Sequence, residues 1–534
     1  MVKILNQSTL WKMTAATFVC LMVAGCKTNP SSVDAGVDNL NNQNRQLPDA
    51  GSSDAGSDGG HGDYVNPNPS VDAGVVCQPP AAPWPPDPIS PVPLPNPAPA
   101  GWQYLTAQNN FGPHEIYAVT TDGIGNVWVA AGRDGLFLAQ LDTKTSQYAY
   151  VKQFTLADGL TGYDDGCPSS PGNPSTVHPL PVISVTGGPA NTVFVGYHGL
   201  DEHKSLGLAG CEEAWEIYTG APYHYVYDAK HKYIWKSGDA DRVVYNPTSG
   251  KIAAVHYDIS SGPGIVSAEP QGREKICSIL RMAYDLKTNS IWFGGNHGMA
   301  RGDATSTPPV IVEHSHPAIN GYTSEDITQH PAYLTDAYYG MSVLPNGDLW
   351  FGGANRSALF TPRTTGVVCA DDFFNCDDHV NAEGNINKLD FWPDAQAEYA
   401  PPSKRTEDNV SDMAAYPDGS VWASSLTNGL IHWVPGGTPL RLNTVTDVDP
   451  KGRASALERD ASDESLWVGF AQGGLVRLQG PDKSVRTAYG ANVFTAQLAQ
   501  GAVSDIQSDT FQGKRRLLAA LQSSPPLVAI YTGP

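Results

Sequence analysis

From Trp102 onward the chain is punctuated: short apolar runs, several with strict in-out alternation, are separated by Gly, Asn and Asp. Alternation over about four to eight residues marks a half-buried strand, and Gly, Asn or Asp between two such runs supplies the backbone of a tight hairpin. The runs are also self-similar. Six of the 12 tryptophans share one context: NVWVAAGRDGL at Trp128, YIWKSGDADRV at Trp235, SIWFGGNHGMA at Trp292, DLWFGGANRSA at Trp350, SVWASSLTNGL at Trp422 and SLWVGFAQGGL at Trp467. Two weaker copies carry Phe194 and Leu517 in the tryptophan's place. Upstream of most copies stands an alternating run and a turn, as in YAVTTDGIGN from Tyr117, MAYDLKTNS from Met282, MSVLPNGD from Met341 and MAAYPDGS from Met413. Each unit therefore reads as strand, tight turn, Trp-bearing strand, Gly-containing turn, third strand.

Units that cannot bury both faces alone must stack. Eight copies over Trp102–Pro534 average about 54 residues, slightly longer than the ~40–50-residue blades of propellers. The expectation is an all-β fold, a single β-propeller over residues 102–534 with eight four-stranded blades, or seven if the copy at Leu517 is an extension. The last copy ends at PLVAIY, a third strand without a fourth, while WQYLTAQ from Trp102 is a strand without a unit. Pairing the two closes the ring and removes exposed edges. The repeated tryptophan is expected between neighbouring blades, as core.

Hairpin, Trp-bearing strand and Gly-Leu together resemble the two-component regulator propeller repeats of bacterial sensor ectodomains, whose pattern is a hairpin, Leu-Trp-Ile-Gly-Thr and then Gly-Leu. The resemblance covers most of residues 102–531 and implies a propeller and ligand sensing outside the cell. It departs at Phe194 and Leu517, at Lys236, which follows Trp235 where an aliphatic residue belongs, and at long insertions. No kinase or DNA-binding signature accompanies it, so a signalling role is not implied.

The N-terminus has a different pattern. Lys3 and Lys12 precede an uncharged run of 13 residues from Met13 to Gly25 that ends in Val23-Ala24-Gly25-Cys26. That is short of the ~20 residues a bilayer span needs, and it reads as a signal peptide over residues 1–25. Small residues directly before a cysteine resemble the lipobox of bacterial lipoproteins, which implies a diacylglycerol thioether and an N-acyl chain on Cys26. Several acyl chains anchor far more firmly than one. By resemblance to lipoprotein sorting, Lys27 points away from inner-membrane retention, so a cell-envelope location at the outer membrane is expected, with the membrane as a partner through the anchor. Residues 26–101 then form a tether. Asp-Ala-Gly recurs at Asp34, Asp49, Asp54 and Asp72, too small and like-charged to bury surface, so this part is expected to be disordered. Between Pro79 and Ala100, 11 of 22 residues are proline, which favours an extended rod.

Charge narrows the partners. A net charge of −21 from 33 basic and 54 acidic residues would repel a phosphate backbone, so nucleic acid is not expected. Once Cys20 leaves with the signal and Cys26 takes lipid, six cysteines remain, an even number that suits an oxidising compartment. Disulfides Cys369–Cys376, within one insertion, and Cys167–Cys211, flanking the second copy, are expected. No metal-type or CxxC spacing occurs.

The chemistry is sparse. GxSxG, HExxH, phosphate-loop and dinucleotide signatures are missing from the sequence. Glu313-His314-Ser315-His316 puts two imidazoles on one face of an extended segment but lacks a third ligand, and an exposed insertion is the plainer reading. Asp371, Asp372, Asp377 and Asp378 surround the Cys369/Cys376 loop and could gather oxygens about Ca²⁺. A solvated acidic loop is plainer, and no cofactor is expected. Arg301-Gly302-Asp303 matches an adhesion tripeptide by chance at the end of a third strand.

A ring does offer convergence, because the turns between second and third strands share a face with the links between blades. They carry Arg133, Asp134, His198, Asp239, Asn296, His297, Asn355, Arg356, Asn428 and Gln472, with His114, Tyr338 and Tyr339 on the links. These residue types suit hydrogen bonding to, and stacking on, a sugar or peptide. The expected function is an envelope lipoprotein, more binder than enzyme, whose propeller takes an extracellular glycan, peptide or envelope protein. The alternative is a hydrolase or lyase acting on polysaccharide, with carboxylates or histidine at the pore.

Overall fold

The structure is a computed structural model that describes residues 89, 94–168, 175–198, 200–201, 235–236, 239–257, 259, 278–295, 299–315, 336–354, 357–360, 410–425, 429–434, 440–442, 448, 453–490, 492–495 and 498–533. Seven antiparallel sheets form the body. Sheet 1 comprises Ala118–Thr121, Val127–Ala130, Leu136–Asp142 and Gln147–Phe154. Sheet 2 comprises Val182–Gly187, Thr192–Tyr197, Ala240–Asn246 and Lys251–Tyr257. Sheet 3 follows with Ile279–Asp285, Ser290–Gly295, Met299–Asp303 and Ile311–Ser315. Sheet 4 has three strands, Asp336–Val343, Leu349–Ala354 and Ser357–Phe360. Val410–Ala415, Val421–Ser425, Gly429–Trp433 and Leu440–Leu442 make sheet 5, and Ala454–Asp460, Ser465–Phe470, Leu475–Gln479 and Val485–Tyr489 make sheet 6. Sheet 7 joins Ala502–Phe511, Lys514–Gln522 and Leu527–Tyr531 to Trp102–Leu105. The first strand of each sheet packs on the first strand of the next, and that of sheet 7 on that of sheet 1, so the sheets close a propeller around a central channel.

The described residues thus contain six complete four-stranded blades, and this corrects the expected eight and the alternative seven; the remaining sheet has three strands. The miscount arose at Trp235. Among the described residues, the segment Trp235–Lys236 pairs with Leu200–Asp201, outside the main sheets, and the run after it, Ala240–Asn246, is the third strand of the Phe194 sheet. The Phe194 and Trp235 copies are thus one blade, with an insertion between its second and third strands. The copy near Leu517 does form a sheet, but one residue out of the expected register. Leu517 packs toward sheet 6, while Leu518, turned toward sheet 1, holds the tryptophan's place.

Closure follows the expected seam. Trp102 lies opposite Tyr531 and Leu105 opposite Val528, with the Trp102 ring against Tyr531 at 4.9 Å and Phe494 at 5.7 Å. The core is a set of seven interfaces between sheets rather than one centre. Trp128, Trp292, Trp350 and Trp467 are fully buried, each against the sheet that follows. Among the described residues, no helix is long and apolar enough to cross a membrane.

Candidate functional site

Six of the seven first strands start with a β-bulge, between Val182 and Ser184, Ile279 and Arg281, Asp336 and Gly340, Val410 and Asp412, Ala454 and Ala456, and Val503 and Asp505. An extra residue there re-aims the side chain that follows it. Ser184, Arg281, Gly340, Asp412, Ala456 and Asp505 are therefore equivalent positions. From these and the next inward places, side chains bond to the backbone of the following sheet. Asp412 accepts from Leu457 N at 2.9 Å, Asp505 from Val119 N at 2.9 Å, Glu458 from Ser508 N at 2.8 Å, Thr120 Oγ1 from Gly187 N at 2.9 Å and Ser342 Oγ from Ala415 N at 3.0 Å. The innermost strands would otherwise line the channel with unpaired amides, each costly to leave unsatisfied.

Arg281 departs from this pattern. Its guanidinium crosses the channel and donates to Asp412 Oδ1 at 2.9 Å and to Asp505 Oδ1 at 2.9 Å, which ties sheet 3 to sheets 5 and 7. Burial works against the charge on Arg281, but Asp412 and Asp505 outweigh it and raise its pKa. Burial pushes the Asp412 carboxyl up to about 6 despite Arg281. It pushes Glu458 up to about 8, with Asp412 and Asp505 adding to the rise and the Ser508 bonds opposing it.

The turn face lies directly above, because the first strands run inward from it. In sheet 1 the turn is tied to the next sheet by two bonds, Gly132 N to Val182 O at 2.8 Å and Val182 N to Gly132 O at 2.9 Å. Gly132 has φ +56°, in the left-handed region that favours glycine. Asp134, buried, accepts from His114 N at 2.5 Å and lies 3.0 Å from His114 Nδ1. Arg133 pairs with Glu115 at 3.2 Å and remains 51% exposed. In sheet 2, His198 N donates to Pro181 O at 2.9 Å. Asp239 lies 3.8 Å from His256 Nε2, while His256 Nδ1 lies 2.8 Å from Asp241. Asp241 is fully buried and also accepts from Tyr197 Oη at 2.5 Å and Thr161 N at 2.9 Å. Gln472 is exposed on the sheet 6 turn, where the neighbouring Gly473 sits under Ala499 of the link into sheet 7.

Arg133, Asp134, His198, Asp239 and Gln472 therefore belong to the turns or their ends. Asn296, His297, Asn355, Arg356 and Asn428 lie outside the described residues, as do Cys26, Cys211, Cys369, Cys376, His316 and the four aspartates of the Cys369/Cys376 loop. Cys167 is on the strand Gly162–Pro168, which pairs with Ser175–Pro179. Tyr338 and Tyr339 are buried, Tyr338 edge-on to Phe351 at 5.2 Å, and this corrects their expected role as stacking groups. Among the described residues, no group of three or more His, Cys, Asp or Glu is placed to hold a metal ion. The sequence reading missed Arg281, Asp412, Glu458 and Asp505. The available signal was a charged residue alternating with apolar ones in the first strand of a copy, as in ILRMAYD or ASALERD.

No known family matches the sequence, and no curated protein matches it. Among solved structures, the extracellular domain of a hybrid two-component system from B. thetaiotaomicron aligns with 81% of this chain at 11% identity and a TM-score of 0.43. The chain spans 42% of that protein's length. YCF48 bound to D1 peptide aligns with 81% of this chain and 97% of its own, at 9% identity and a TM-score of 0.42. Its own sheets make this chain an all-β propeller with four-stranded blades.

Proposed function

We propose that the protein is a binding module of the cell envelope, anchored to the outer membrane through lipid on Cys26 and presenting its propeller on the tether of residues 27–101 to an extracellular glycan, peptide or envelope protein. The observation that carries this reading is the turn face. Its polar groups are held by the links between sheets, as at Gly132–Val182 and Asp134–His114, and they stand over a channel that Arg281 closes from within. Polar groups held in place before a ligand arrives bind it without a large ordering cost. Polysaccharide cleavage would need carboxyls free to exchange protons with substrate. Two of the three channel carboxyls do not meet this need, since Asp412 and Asp505 give one oxygen to Arg281 and the other to a backbone amide.

The test is a glycan and peptide array probed with a soluble fragment starting at Gly101, followed by chromatography of each retained ligand after incubation. Retention of an intact ligand supports the reading; cleavage products would replace it with the enzymatic one. For the anchor, labelling with a clickable fatty acid should mark the wild type and leave Cys26→Ser unlabelled. Equal labelling would refute it.

A further inference from the structure

Four first strands bring titratable groups together in the channel: Arg281 from sheet 3, Asp412 from sheet 5, Glu458 from sheet 6 and Asp505 from sheet 7. Glu458 joins sheets 6 and 7, since its Oε1 accepts from both Ser508 N and Ser508 Oγ at 2.8 Å. Asp412 and Asp505 cannot swing away from it, because each is held on its second oxygen by a backbone amide of the next sheet. Among the described residues, the other cation that acts on Glu458 is Arg459, and it is committed elsewhere. Arg459 is turned to Glu464, at 2.8 and 2.6 Å, and the Tyr416 hydroxyl donates to Glu464 O at 3.4 Å.

With Arg459 spent on Glu464, Asp412, Asp505 and Glu458 share the Arg281 guanidinium among the described residues. If all were ionised, two uncompensated negative charges would be confined between strands, where like charges repel far more strongly than in water. Burial holds a proton on Glu458 up to about pH 8 and on Asp412 up to about 6.

We infer that this cluster is a proton-operated latch on the ring. With a proton on Glu458, the first strands of sheets 5, 6 and 7 close around Arg281. Release of that proton to alkaline solvent adds a charge that pushes them apart and loosens the channel beneath the turn face.

The experiment is amide hydrogen exchange of the full chain, read on peptides covering residues 454–460 and 502–511 at pH 6 and pH 9, with the intrinsic pH dependence of exchange divided out. A proton bound in only one of two states shifts their equilibrium by up to about tenfold per pH unit. The wild type should therefore lose about tenfold protection or more at pH 9. Glu458→Gln, which keeps the shape without the charge, should lose little. Equal protection at both pH values, or an undiminished loss in the variant, would overturn the latch. Difference infrared spectra of the wild type need no variant: a protonated-carboxyl band present at pH 7.5 and gone by pH 9.5 is expected, and its absence at pH 7.5 would also overturn the inference.

Discussion

Sheets 7 and 2 are both stitched from segments that lie apart in the chain, and they are stitched in opposite ways. Sheet 7 takes its outer strand, Trp102–Leu105, from the first strand of the propeller in chain order and the other three from the last. Sheet 2 is broken in the middle, where the chain leaves after Tyr197 and returns at Ala240. The returning strand still pairs fully, from Ala240 opposite Gly196 to Val244 opposite Thr192. Both sheets present equivalent faces: Leu518 and Phe194 stand where other sheets have tryptophan, and Asp505 and Ser184 follow the bulge. A blade is therefore defined by which residues face which neighbour, and contiguity is secondary. Lengthening a connection adds only a slowly growing entropy, whereas an unpaired outer edge exposes a row of amides and an apolar face.

The sharpest way to break the comparison is to delete Trp102–Leu105. The edge of Leu527–Tyr531 would open, and the Trp102 ring contacts and the Tyr104 Oη bond to Val493 O at 2.5 Å would go. The expected result is aggregation or loss of cooperative unfolding, read by size exclusion and thermal melting. A monomer with an unchanged Tm would mean that the seam lies elsewhere. If the two kinds of sheet are equivalent inside, Phe194→Ala and Trp467→Ala should each cost about 3–5 kcal/mol in denaturant unfolding. A cost below about 1 kcal/mol at Phe194 alone would show that the interrupted sheet packs more loosely.

Arg281→Met keeps volume but leaves Asp412 and Asp505 without their cation, at a cost of about 3 kcal/mol at pH 8. That cost should shrink at pH 5, where the orphaned carboxyls take up protons, and a pH-independent cost would contradict the pairing. Glu458 adds a slope of its own. Its folded value of about 8 exceeds its ordinary 4.5, so the folded state keeps a proton that the unfolded state has released. Its contribution is complete below about pH 4.5 and is lost as pH rises toward 8. Melting curves should show wild-type stability relative to Glu458→Gln falling over that window. The smallest effect belongs to the rim. Arg133→Ala and Gln472→Ala should each move stability by less than about 0.5 kcal/mol, while weakening whatever ligand the arrays identify. Unfolding of either variant would place those side chains in the core.

Much of this was legible in the sequence for a physical reason. Buried alternation and hairpin chemistry are local, so the strand order within a unit and the Trp102–Tyr531 seam could be read from residues in hand. The failures are equally local in origin. YIWKSGDADRV matches the repeat locally, and only the pairing of Ala240–Asn246 with Thr192–Tyr197 shows that its later part belongs to the Phe194 sheet. RLLAALQSS was placed one residue out because two adjacent leucines fit the same position. Arg281 could not be assigned at all, since its partners lie 131 and 224 residues further along the chain, and nothing local to it points there.

The bonds that line the channel have a direction. Asp412, Glu458, Thr120, Ser342 and Asp505 each reach forward to the backbone of the following sheet. Such a head-to-tail contact has only two fates: it closes on itself or it grows. Asp505 meeting Val119 is the step at which this series closes, so the intact molecule offers neither a vacant head nor a vacant tail. A molecule sprung open at that step would carry one of each, mutually complementary, and could add a second copy end to end. Ring closure therefore limits the size of the assembly as well as shaping the fold.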